Sequence, residues 1–154
     1  MWIELTRAKL QDKLTGAEYN AVKGAALGAG QDADDLIDEA LARVTKEVRG
    51  YVGGCKSNTL GATGTIPDEL EDAALAMALV RFFNRVPNLK SLLSNTRLEA
   101  EKNAVELMKQ VALCRFGIVP PETPAAGNEQ PQPSKIGVVG KRTKMSRDSL
   151  NGMW

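Results

Sequence analysis

The sequence contains no histidine, and aromatic residues make up only 5% of it. Without His, the commonest general base and the imidazole metal ligand are missing. The low aromatic content, with Ala and Leu supplying most of the apolar residues, points to packed helices rather than a β-sandwich. No apolar run approaches the ~18 to 20 residues that a membrane span requires. The opening "MWIELTRAKL" carries charges of both signs and no apolar stretch of the kind a signal peptide needs, so no leader is expected. Cys55 and Cys114 are the only cysteines. Two distant thiols in a chain without His fit a reducing compartment and indicate neither a disulfide nor a zinc site. Cys114 lies at the end of an apolar helix face and is expected in the core.

What is present fits one globular domain. The 154 residues are 43% hydrophobic and 25% charged. "TRAKLQDKL" reads as a short helix with Thr6 as N-cap and Leu10 and Leu14 on one face. A second short helix is expected over residues 17–23, weakened by glycine. "DADDLIDEALARVTKEVRGYV" places Leu36, Ile37, Ala40, Leu41, Val44 and Val48 at helical spacing, with acidic residues in its first turn and Gly53 and Gly54 as stop signals. Residues 55–66 read as a loop. Pro67 stands where a first helical position belongs, ahead of the strongly apolar "DELEDAALAMALVRFFNRV". A third long helix is expected from about Leu89 to Arg115, broken near Asn95 and capped by Gly117. The fold class expected is therefore all-α: a small bundle of three longer helices with short N-terminal helices and an extended C-terminal arm.

The segment from Pro120 to Ser134 contains five prolines and no large apolar residue. It reads as a semi-rigid linker between a helical body at residues 1–119 and an arm at residues 135–154. Five basic residues against one acidic give the arm a net +4, which leaves −3 for the first 134 residues of a chain whose total is +1. A basic arm suits an acidic partner surface on protein or nucleic acid.

Few motifs carry catalytic chemistry. The acidic cluster Asp32, Asp34, Asp35, Asp38 and Glu39 lacks the alternation, central Gly and closing Glu of a calcium loop, and reads as a capped helix start with a solvated face. "GVVGKRT" misses the phosphate-loop spacing, and Arg142 stands where that motif needs Ser or Thr. With no nucleophile–base pair, an enzyme is not expected, and no cofactor or metal is implied. The arm differs from a plain charged tail, because Ile136, Val138 and Val139 accompany its basic residues. Lys141, Arg142, Lys144, Met145, Arg147, Leu150, Met153 and Trp154 together read as a partner-docking peptide, charges orienting it and Leu150, Met153 and Trp154 anchoring it. The alternative is a small nucleic-acid-binding or regulatory protein that uses the same basic residues, although no aromatic interleaves them for base stacking.

The order of these elements resembles the tailed-bacteriophage head–tail connector proteins, also called adaptor or neck proteins, and particularly their Mu-like branch. The resemblance rests on "DDLIDEALARVTKEVRGYV", on "IPDELEDAALAMALVRFF", on "RLEAEKNAVELMKQVALCRFGI" and on the ending "KRTKMSRDSLNGMW". The chain departs from that pattern at "GGCKSNTLGATG". The resemblance implies a non-enzymatic virion protein made in the host cytoplasm and located in the neck. It implies a homo-oligomeric ring, usually of twelve, between the portal protein and a downstream neck or tail completion protein. Genomic DNA would pass through its channel without sequence-specific binding, and no membrane is involved.

Overall fold

The computed structural model describes residues 1–122, and these form an α-helical bundle with one small two-stranded sheet. The element order is β1 (Trp2–Glu4), α1 (Arg7–Gln11), α2 (Gly16–Gly28), α3 (Ala33–Gly54), β2 (Thr65–Pro67), α4 (Glu71–Arg85) and α5 (Asn95–Ala112). Single stretches of 3-10 helix at Asp68–Leu70 and Pro87–Leu92 lead into α4 and α5. The all-α class read from the sequence is the class observed. The docking arm, including Lys141, Arg142, Lys144, Met145, Arg147, Leu150, Met153 and Trp154, lies outside the described residues.

Helices α3, α4 and α5 pack against one another and enclose the core. Helix α4 is the most apolar of them, and Leu75, Met77, Ala78, Phe82 and Phe83 are all buried along it. Full burial of side chains this size contributes roughly 1.5 to 3 kcal/mol each, so α4 supplies a large share of the apolar stabilisation. Opposite it, α3 buries Leu36, Ile37, Ala40, Leu41, Val44 and Val48, the stripe expected from their spacing. Two ion pairs, Arg81 with Glu47 and Arg85 with Glu39, run between these helices and fix their antiparallel register.

Several boundaries differ from the sequence reading, each for a local reason. Helix α2 extends over 13 residues rather than seven, because Thr15 and Glu18 form a reciprocal capping box at its start. Its Gly24 faces open space, so the only cost there is the flexibility of glycine itself. The break expected near Asn95 is present, at Leu93 and Ser94, where the Ser94 hydroxyl accepts the Arg97 N–H and caps α5. Pro67 closes β2 instead of opening a helix. β2 pairs antiparallel with β1, Ile3 opposite Ile66.

The cysteines depart furthest from expectation. Cys55 and Cys114 form a disulfide across a sequence separation of 59, with their Cα atoms 5.2 Å apart. Cys114 is exposed rather than in the core, whereas Cys55 is buried. The C-terminal ends of α3 and α5 approach so closely that a Cβ on Gly54 would meet the Ala112 Cβ at 3.3 Å, and the next residues on each chain segment are then within bonding reach. A loop of that length gives a crosslink a stabilisation of about 4 kcal/mol in the chain-entropy account. Cys114 also ends α5 in place of Gly117. It adopts a left-handed φ of 58°, while its N–H donates to the Val111 carbonyl and the Arg115 N–H to the Gln110 carbonyl. That pattern is a Schellman closure with cysteine in the position glycine usually fills.

Candidate docking surface

The last part of the segment between α3 and β2, residues 61–65, is braced by one arginine. Arg49, in the fifth turn of α3, the longest helix among the described residues, donates from Nη1 to the carbonyls of Ala62 at 2.8 Å and Thr65 at 2.7 Å, and from Nη2 to the Gly61 carbonyl at 3.1 Å. A planar, permanently charged fork suits this bracing of several acceptors. The same guanidinium lies 6.0 Å from the Trp2 ring centre. Gly61 passes directly under that ring, and a Cβ there would fall 2.6 Å from Trp2 Cδ2. The indole N–H of Trp2 in turn donates to the Val119 carbonyl at 3.1 Å. Trp2 therefore joins the N-terminal strand, the loop and the chain beyond α5 at one point.

Beside this cluster lies an open groove of about 440 Å³ between β1, α3 and the loop. Leu5, Leu41 and Ala42 supply its apolar floor, and Glu4, Lys46 and Thr63 its polar rim. Asp38 at one end is already paired with Arg7. The groove offers apolar contact and hydrogen bonding to an extended peptide. Among the described residues, no group of His, Cys, Asp and Glu is placed to hold a metal ion.

In the acidic start of α3, one residue caps the helix and three pair with arginines. Asp32 caps the helix by accepting the Asp34 N–H at 2.8 Å. Arg7 reaches across from α1 to Asp34 at 2.7 Å and to Asp38, and its guanidinium is raised well above its ordinary range, mainly by the Asp38 hydrogen bond. Glu39 takes Arg85 from α4 and Arg43 from its own helix, and the Arg85 hydrogen bond holds its carboxyl below the usual range. These pairs tie α1 and α4 to α3. The capped start and the exposed acidic face expected from sequence are both present, with Asp32, Asp35 and Asp38 exposed, and Asp34, Asp38 and Glu39 also pair with arginines of α1, α3 and α4.

None of the docking residues read from the sequence falls within this region, since all lie beyond residue 122. The residues the structure brings to prominence are Trp2, Arg49 and Gly61, which local pattern did not single out. A lone Arg on a helix face looks like a solvated charge, and its three acceptors are carbonyls whose positions only the fold defines. The one available signal was a Trp followed by Ile ahead of any helix. No helix among the described residues is long and apolar enough to cross a membrane. Compared with known protein families, curated proteins and solved structures, the chain matches none.

Proposed function

We propose that the chain is a structural subunit of a tailed-phage neck, of the Mu-like connector type, and acts without catalysis. Copies would form a ring, of about twelve by the family's habit, that joins the portal to the next neck or tail protein and continues the DNA channel. The observation that carries this reading is the coincidence of its three quoted stretches with three packed helices, α3, α4 and α5, followed by a basic and apolar C-terminal segment. A body with no metal-holding cluster among its described residues suits a scaffold. Residues 120–134, if extended, would span roughly 45 Å at about 3.1 Å per residue, enough to carry residues 135–154 across a neighbour. Repetition around a ring would convert weak individual contacts into strong avidity.

Co-assembly with the portal protein tests this reading. The full chain is expected to yield rings in electron micrographs, and a chain ending at Ser134 is expected to lose them. Trp154→Ala and Leu150→Ala should weaken assembly at all salt concentrations, whereas changes at Lys141 and Arg142 should matter most at low salt. Equal assembly by the shortened chain would exclude a docking role for the arm. The charge asymmetry favours a second reading, nucleic-acid binding through the same basic residues. That reading requires duplex binding with a log–log salt slope of about −4 for four neutralised phosphates, and a gel shift at low salt decides it.

A further inference from the structure

We propose that Cys114 is a thiol–disulfide exchange site, at which a dithiol reductant breaks the bond to Cys55 and unlatches residues 113–122 from the helical body. The inference does not depend on the neck reading.

The two sulfurs are unequally placed. Cys55 is 2% exposed and sits at the C-cap of α3, whereas Cys114 is an exposed residue just beyond α5. A thiolate arriving from solvent therefore meets Cys114 Sγ first, with Cys55 Sγ as the leaving group. Ser57 Oγ lies 2.9 Å from Cys55 Sγ and 3.9 Å from Cys114 Sγ. A disulfide sulfur carries no proton, so the hydroxyl is the donor, and it is aimed at the atom on which negative charge develops. In the first step a bond forms between the reductant's sulfur and Cys114 Sγ, the Cys55–Cys114 bond breaks, and its electron pair leaves on Cys55 as a thiolate. The reductant's second thiolate then attacks its own bonded sulfur and expels the Cys114 thiolate. Two electrons pass to the protein, the two thiol protons end on Cys55 and Cys114, and the dithiol leaves as a cyclic disulfide.

The chain that follows Cys114 is what this bond retains. Cys114 itself occupies the left-handed region, which a non-glycine residue adopts only at a cost. Beyond it, Phe116 and Ile118 are partly buried against the core. The Val119 carbonyl accepts from the Trp2 indole, and its N–H donates to Glu69 Oε1 at 3.2 Å. Two exposed hydrogen bonds and two half-buried side chains are a weak hold once the covalent tie is gone. Losing the bond also lowers global stability, but the buried stripes of α3 and α4 pack against each other, so the first segment to open is 113–122.

The test uses the full chain with Trp154→Phe, which leaves Trp2 as its only Trp. After reduction with dithiothreitol at neutral pH, iodoacetamide is expected to alkylate Cys114 at least tenfold faster than Cys55. Hydrogen exchange in residues 113–122 should quicken at least tenfold while residues 33–54 and 71–85 stay protected, and Trp2 emission should shift to the red. Cys114→Ser should reproduce this exchange pattern without reductant. Ser57→Ala should slow reduction about fivefold, the equivalent of one ordinary hydrogen bond. Equal alkylation of both thiols, or unchanged exchange in 113–122 after complete reduction, would overturn the proposal. Loss of protection throughout α3 and α4 in Cys114→Ser would also overturn it, because the bond would then be a global staple and not a latch.

Discussion

Glu18 and Arg97 are 79 positions apart, and their contact shows how much a single pair does here. Glu18 closes the capping box of α2 and receives the Arg97 guanidinium at 2.9 Å, while Arg97 also donates to the Leu92 carbonyl and stacks over Phe83. The Arg97 hydrogen bond, helped by the Thr15 N–H, draws the Glu18 carboxyl down to about 2. A carboxylate lowered on folding stabilises the native state above its unfolded pKa, near 4.5, and that stabilisation disappears as pH falls toward 2. Glu18→Gln should therefore lose on the order of 2 kcal/mol at pH 7, and wild type and variant should converge between pH 4.5 and 2. Urea titrations at pH 7 and pH 2.5 measure both, and a gap at pH 2.5 undiminished from its value at pH 7 contradicts the assignment. Gly61 offers a second residue-scale test. Gly61→Ala forces a methyl into the Trp2 ring and should cost about 1 to 3 kcal/mol, read as a lowered urea midpoint. Neither position was legible in the sequence. Glu18 looked like one more helix charge and Gly61 like one more loop glycine, since their partners come from distant segments.

At the scale of elements, the three long helices were legible because burial follows a 3.6-residue period, and nearly every apolar position expected on α3 and α4 is buried. What escaped was non-periodic. β1 and β2 are three residues each and exist only because their pairing joins positions more than 60 residues apart. The disulfide escaped for the same reason, since it depends on how α3 and α5 converge at Gly54 and Ala112. Helix α4 should be the element least tolerant of change. Phe82 is fully buried, with its ring centre 5.7 Å from that of Phe83. Phe82→Ala should cost about 3 to 5 kcal/mol, a large share of the stability of a domain this size. Chemical denaturation would show it, and a loss below about 1 kcal/mol would contradict the packing described.

The whole molecule joins a helical body, in which several ion pairs run between helices, to a C-terminal sequence of opposite net charge. The described chain leads toward that segment from the Trp2 cluster, where β1, the Arg49-braced loop and the chain after α5 converge. The proposed latch at Cys114 lies on the path from this cluster toward that segment. The central claim is that the protein is a ring subunit of the phage neck. Cryo-electron microscopy of virions that carry this chain tests it most directly. The account predicts a ring of helical bodies beneath the portal, with residues 135–154 seated on another chain. Virions whose necks contain no copies would contradict it.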